Sequence, residues 1–179
     1  RPPQGAAEIF TFVLYSYAIA GSVGERTASR VREGTSLLSP AANLPEDTRR
    51  RLANNLAFAS LELGDIDMAK SILADYEGYS GPDPFLTATL GLLKIRLGSL
   101  AEGTNLYRRA IGLADSRTLR RALEQKLHLE TAKVYLSRDN PKEAAAALAR
   151  AQHIRRGVPD LGRQIDSVAA EITAERDNE

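Results

Sequence analysis

LAFASLELGDIDMAKSIL, residues 56–73, decides the fold of this chain, because its spacing of small and apolar residues returns twice further on. The second copy is LGLLKIRLGSLAEGTNLY, residues 90–107, and the third is TAKVYLSRDNPKEAAAAL, residues 131–148. The offsets between the copies are 34 and 41 residues. Each copy has Ala or Gly at its second and fourteenth positions and Gly or Asp at its ninth. Such self-similarity predicts a stack of repeated units.

Each copy predicts a helix, a tight turn and a second helix. The small residues let the two helices approach closely, and the large apolar residues fill the seam with the next hairpin. This pattern resembles the tetratricopeptide repeat, over about residues 9–154 and most specifically in the three copies quoted. The resemblance implies an all-α, right-handed superhelical solenoid of antiparallel helix hairpins.

We predict a single domain, 1–179, with four hairpins at 7–38, 46–78, 84–114 and 116–155 and a C-terminal capping helix at 160–176. The first hairpin is the weakest match, because Arg32 and Thr35 replace the expected apolar residues. The larger offset, 41 residues, reflects seven additional residues at the start of the long helix after Ser116. Seven residues are close to two helical turns, so the insertion keeps the same face toward the groove. Asp83 and Ser116 are predicted N-caps.

Composition excludes several classes of function. The chain has 43% apolar and 26% charged residues, a net charge of +1 and no cysteine. The absence of cysteine rules out disulfides, thiolate catalysis and cysteine-based metal sites. A balanced charge gives no reason to expect a nucleic-acid partner. Residues 9–20 are apolar but too short to span a bilayer, which needs about 20 residues, so we predict no membrane insertion. We predict a cytoplasmic location, with the periplasm as the alternative.

The sequence does not predict an enzyme. Its two histidines, His128 and His153, have no neighbours at the spacing of metal ligands. Phosphate-binding glycine motifs and nucleophile elbows are missing from the sequence. We therefore predict no catalytic residue, no metal and no cofactor.

In the tetratricopeptide-repeat family, one face of the first helix of each hairpin does not pack on the second helix and lines a concave groove. The resemblance implies the same groove here. Amides, aromatic rings and cations along it suit a peptide or protein partner. The predicted partner-binding residues are Tyr17, Arg51, Asn54, Asn55, Phe58, Phe85, Thr89, Leu92, Arg96, Lys126 and Lys133.

One specific ligand is disfavoured. Family members that clamp the C-terminal carboxylate of heat-shock chaperones use a set of lysine, asparagine and arginine residues, of which this chain matches at most Asn55 and Lys126. Glu130 stands where an arginine is expected, and its charge would repel a carboxylate.

Residues 9–20 raise a further expectation. Their apolar side chains cover the predicted helix nearly all round, so we expect a second copy of the chain or a missing neighbouring segment to cover them. The chain begins at Arg1 rather than Met, and this also leads us to expect a neighbour. The rival functional hypothesis is therefore a regulatory or docking arm of a larger enzyme or transcription regulator.

Overall fold

The computed structural model describes residues 25–39, 44–154 and 161–176. Within these ranges the regular secondary structure is helical and no strand occurs, which confirms the predicted all-α class. The α-helices there are α1 Glu25–Thr35, α2 Glu46–Glu62, α3 Ile66–Leu73, α4 Pro84–Arg96, α5 Leu100–Leu113, α6 Arg117–Leu136, α7 Pro141–His153 and α8 Leu161–Arg176. Short 3-10 turns follow α1 at Ser36–Leu38 and α3 at Ala74–Tyr76.

Helices α2 and α3 fall in the range predicted for the second hairpin. Helices α4 and α5 form what we call hairpin three, and α6 and α7 form hairpin four. The first helix predicted for hairpin one, together with Tyr17 and residues 9–20, lies outside the described residues. In the part of the chain that is described, no helix combines the length and apolar character needed to cross a membrane.

Three turns share one hydrogen-bond pattern. In each, the backbone N–H at the tenth position of the repeated stretch donates to the carbonyl at its fifth position. The N···O distances are 2.9 Å for Asp65 to Ser60, 2.9 Å for Ser99 to Lys94 and 3.0 Å for Asn140 to Tyr135. The turns thus recur with the same offsets as the sequence.

The residue before each of these donors adopts a positive φ, at 80° for Gly64, 88° for Gly98 and 55° for Asp139. Glycine is the usual residue for this conformation, and aspartate tolerates it better than most others. The ninth position of each repeat is therefore explained by the turn geometry.

The small residues of the repeats lie where helices touch. All six are buried: Ala57, Gly91, Ala132, Ala69, Gly103 and Ala144. In hairpin three the approach is close enough that a Cβ built on Gly103 would lie 2.6 Å from the carbonyl oxygen of Gly91. The predicted reason for small residues at these positions holds here.

Two side chains start helices as predicted. Asp83 Oδ1 accepts from the backbone N–H groups of Phe85 and Leu86 at 2.9 and 3.2 Å, so α4 is capped. Ser116 Oγ accepts from the N–H of Leu119 at 3.1 Å and caps α6. Both contacts satisfy N–H groups that have no partner within the helix.

The contacts divide the chain into two compact units, Arg1–Gly81 and Pro82–Glu179. In the first unit α2 packs against α1 and α3. Val31, Leu52, Leu56 and Ala59 form a core between α1 and α2, and Met68 and Ile72 of α3 pack against it. Whether residues 1–179 behave as a single domain stays a prediction.

In the second unit the long helix α6 contacts each of the other four helices. Successive helices pack together from α4 to α8, and α6 also contacts both α4 and α8. Helix α6 thus lies between α4 and α8, and we call these three the α4–α6–α8 row. Helix α5 packs against α4 and α6, and α7 packs against α6 and α8.

Helix α8 closes this unit with an apolar stripe. Leu161, Ile165, Val168 and Ile172 are buried against side chains of α6 and α7. The stripe fixes which face of α8 meets α6, and it therefore determines which α8 side chains can contact α6.

Candidate binding site

One acidic side chain, Glu130, lies in the interior of the second unit. It is in the long helix α6, and only 1% of its surface is exposed. A buried carboxylate without partners would cost several kcal/mol, about 3–5 in measured cases. The groups around Glu130 therefore decide whether this arrangement is stable.

Three basic side chains converge on Glu130. Lys126 Nζ and Lys133 Nζ each lie 3.1 Å from Glu130 Oε1, and Arg96 Nη2 lies 2.9 Å from Oε2. The lysines lie four residues before and three residues after the glutamate, so all three share one face of α6. Arg96 comes from the last turn of α4. Both carboxylate oxygens are therefore paired.

Helix α8 adds a neutral partner. Lys133 Nζ also donates to Gln164 Oε1 at 3.0 Å. We call Arg96, Lys126, Glu130, Lys133 and Gln164 the Glu130 cluster. It takes side chains from every helix of the α4–α6–α8 row and links them through polar contacts.

The cluster shifts the protonation of its members. Burial raises the pKa of the Glu130 carboxyl, but Lys126, Lys133 and Arg96 outweigh burial and lower it from 4.5 to about 2. Burial lowers the pKa of the Lys133 ammonium; Glu130 opposes this, while Lys126 and Arg96 add to it. Both pKa values are lowered, but for different reasons: the Glu130 carboxylate faces three cations, whereas burial is the largest cause for the Lys133 ammonium. Three positively charged side chains therefore lie around a single carboxylate in the Glu130 cluster.

One donor in the cluster has no acceptor. The Nε atom of Arg96 is buried without a hydrogen-bond partner in the structure. An unpaired buried donor of this kind costs about 1–3 kcal/mol. The Arg96 side chain thus retains hydrogen-bonding capacity that Glu130 does not use.

The structure brings together three of the predicted partner-binding residues, Arg96, Lys126 and Lys133. Phe85, at the first turn of α4, is 44% exposed. Thr89 is buried and Leu92 is 0% exposed, so both belong to the packed interior and offer no surface to a partner. Helical spacing carries no information on how deeply a residue is buried.

The other predicted residues belong to the first unit. Arg51 is exposed, while Asn55 and Phe58 are half-buried. Asn54 is buried, donates from Nδ2 to Asn55 Oδ1 at 3.0 Å, and leaves its own Oδ1 without a hydrogen bond. Phe58 packs against the core of that unit. Of these four residues, Arg51 alone carries a charge.

Two members of the cluster were not predicted as partner-binding residues: the role of Glu130 was misjudged, and Gln164 was missed. Glu130 was predicted to repel a ligand carboxylate, although its own charge is compensated by three basic groups. The spacing of Lys126, Glu130 and Lys133 was a usable signal for pairing on α6. Gln164 carried no signal, because its role depends on how α8 packs against α6.

The histidines do not form a second site. Burial lowers the pKa of His128, and the charge of Arg150 lowers it further, while Glu124 opposes both. Within residues 25–39, 44–154 and 161–176, no group of His, Asp or Glu side chains is arranged to hold a metal ion.

Comparison with known proteins gives no match at any level: no family model, no curated protein and no solved structure matches this chain. Its function must therefore be inferred from the chain's own residues.

Proposed function

We propose that this chain is a protein-interaction scaffold of tetratricopeptide-like hairpins, stacked as a right-handed superhelix. A segment of a partner protein binds across the α4–α6–α8 row, in the groove lined by the first helices. The recurrence of one turn geometry at three repeats supports the assignment to this kind of fold.

One observation carries the binding proposal. The Glu130 cluster concentrates basic groups from neighbouring helices of one row, and Arg96 and Lys133 each keep 27% of the side chain exposed. Packing alone does not require partly exposed cations around a buried carboxylate, and a hydrophobic substitute is often as stable. An acidic group of a partner segment would meet complementary charge at this point.

An apolar contact lies on the same helix. Phe85 precedes Arg96 by eleven residues, which is three turns or about 16 Å along α4. Its ring is exposed beside a capped helix start, where it can serve as an anchor for an apolar side chain. The proposed segment therefore combines one apolar and one acidic contact.

Peptide display against the full chain tests this proposal. We expect the enriched peptides to share an acidic position and an apolar one. Their affinities, measured by fluorescence anisotropy, should fall about ten-fold for Phe85→Ala and for Lys133→Met, a loss of about 1.4 kcal/mol each.

Two matched controls use surface residues of the same kinds. Leu97 is 47% exposed at the end of α4, and Lys142 is exposed on α7. Leu97→Ala and Lys142→Met should leave affinity within about two-fold of the unmodified chain, below the 1.4 kcal/mol of a ten-fold effect. The proposal fails if no peptide is enriched, or if the control variants lose as much affinity as Phe85→Ala and Lys133→Met.

A further inference from the structure

The Glu130 cluster holds more positive than negative charge at hydrogen-bond distance. Arg96 and Lys133 each have Glu130 as their one acidic partner in the described part of the chain. The other contact of Lys133 is to the neutral amide of Gln164. Two cations therefore share one carboxylate, even before Lys126 is counted.

The basic side chains of the cluster are more exposed than its carboxylate. Glu130 is 1% exposed, whereas Arg96 and Lys133 each keep 27% of the side chain exposed. The buried carboxylate holds both cations in place through its ion pairs. A ligand approaching this surface encounters positive charge that is already ordered, which lowers the entropy lost on binding.

The remaining donors suit a group with several acceptor oxygens. Lys133 has three N–H bonds, of which Glu130 and Gln164 take two. Arg96 uses Nη2 for Glu130, and the second terminal nitrogen of its fork is available for another oxygen. A phosphoryl group carries about −1.5 to −2 charges and three acceptor oxygens, whereas a carboxylate carries one charge and two oxygens.

We propose that Arg96 and Lys133, held in place by Glu130, form a binding site for a phosphoryl group carried by a phosphorylated side chain of the partner segment. That the phosphoryl group belongs to a partner segment rests on the proposed function. That a phosphoryl group binds here rests on the Glu130 cluster alone, so either claim can fail without the other.

The first experiment uses inorganic phosphate and O-phosphoserine as probes. Each is titrated into the ¹⁵N-labelled full chain at constant ionic strength, with chloride as the balancing ion. We expect saturable shifts confined to the ends of α4 and α6 that meet in the cluster. Lys133→Met and Arg96→Met should each weaken binding about ten-fold or more, a change of about 1.4 kcal/mol per factor of ten.

Matched controls remove the same charges elsewhere in the same unit. Lys142 and Arg108 are exposed on α7 and α5, and Lys142→Met and Arg108→Met should bind both probes as the unmodified chain does. If Arg96→Met or Lys133→Met does not fold, Arg96→Lys and Lys133→Arg keep the charge and should retain binding. Shifts that do not saturate, or that Arg96→Met and Lys133→Met leave unaffected, overturn the site. If neither Met variant folds, loss of saturable binding in both Arg96→Lys and Lys133→Arg overturns it.

The second experiment identifies the source of the phosphoryl group. Peptides enriched by display are synthesised with phosphoserine, glutamate or serine at the acidic position. We expect the phosphorylated form to bind about ten-fold tighter than the glutamate form, and tighter than inorganic phosphate. Peptides that bind through Phe85 with no preference for phosphoserine would overturn the assignment while leaving the proposed function intact. Saturable phosphate binding at the cluster with no enriched peptide would overturn the proposed function and the partner-borne source, leaving only the anion site.

Discussion

Hairpins three and four have the same turn but different contacts between their helices. Hairpin three places glycine at both small positions, Gly91 and Gly103, where the backbones nearly touch. Hairpin four has Ala132 and Ala144 at the same positions, both fully buried. It also carries Lys126, Glu130 and Lys133 on its first helix. The two hairpins thus share a turn geometry, while hairpin four differs in its contact residues and in the charged side chains on its first helix.

The largest expected effect concerns the charged residues of hairpin four. Glu130→Gln leaves Arg96 and Lys133 without an acidic partner in a largely buried site. We expect the free energy of unfolding to fall by about 3–5 kcal/mol, as measured when one member of a buried ion pair is removed. Urea denaturation followed by circular dichroism gives this value.

The control for Glu130→Gln is Glu143→Gln on α7, where the side chain is exposed. Exposed charges contribute little, about 0–1 kcal/mol. Equal effects of the two substitutions would mean that the Glu130 cluster does not stabilise the fold.

Acid titration tests the same cluster without mutation. The pKa of Glu130 in the folded chain is about 2, below its ordinary value of 4.5. Because the folded value is the lower one, this stabilisation is fully present above about pH 4.5 and is lost as the pH falls through about 2. Carboxylate ¹³C resonances should show Glu130 still ionised where an ordinary glutamate is mostly protonated. A Glu130 midpoint near 4.5 would contradict the three ion pairs.

The next largest effect concerns the close approach of the two helices in hairpin three. A Cβ on Gly103 would lie 2.5 Å from Ile95 Cγ1 and 2.6 Å from the carbonyl oxygen of Gly91. Because one of these atoms belongs to the backbone, the helices must move apart. We expect Gly103→Ala to lower the free energy of unfolding by about 1–3 kcal/mol, the usual range for overpacking.

Gly112 provides the control on the same helix, since a Cβ there meets nothing within 4 Å. Gly112→Ala should stabilise the chain by up to about 1 kcal/mol through helix propensity. Thermal unfolding of both variants should therefore give shifts of opposite sign. Equal upward shifts would show that the helices of hairpin three are further apart than described.

The smallest expected effect concerns the positive-φ position in the turns of hairpins three and four. Gly98 and Asp139 occupy the same turn position, both with positive φ. Gly98→Ala should cost about 1 kcal/mol, because a Cβ is disfavoured in this conformation. Asp139→Gly should change stability by less than about 1 kcal/mol, since relief of that strain is offset by the greater freedom of glycine when unfolded. Chemical denaturation measures both, and a large loss for Asp139→Gly would imply a structural role for its carboxylate.

Much of the fold was predictable because the signals are local. Helix starts at Asp83 and Ser116 depend on side chains that cap their own first turn, and the turns at Gly64 and Gly98 depend on a backbone conformation that glycine favours. The buried stripe of α8 follows from helical spacing. Each of these features is decided within a few neighbouring residues.

The candidate site was only partly predictable. Spacing selected Arg96, Lys126 and Lys133 for the predicted partner-binding face, and the structure brings these three together. The same spacing also selected Leu92, which is fully enclosed, because periodicity identifies a face and not its exposure. Assigning Glu130 a repulsive role followed from counting its charge without its neighbours.

The sequence by itself determined the repeated hairpins, their turns and the small residues at their contacts, because these depend on short-range geometry. Only the tertiary structure decided that Arg96 of α4 and Gln164 of α8 meet side chains of α6, 34 residues on either side of Glu130 along the chain. Their contacts arise from packing between helices, and the pKa of Glu130 follows from that packing. Charges close in space but distant in sequence set the chemistry of this site, and no local pattern records their distances.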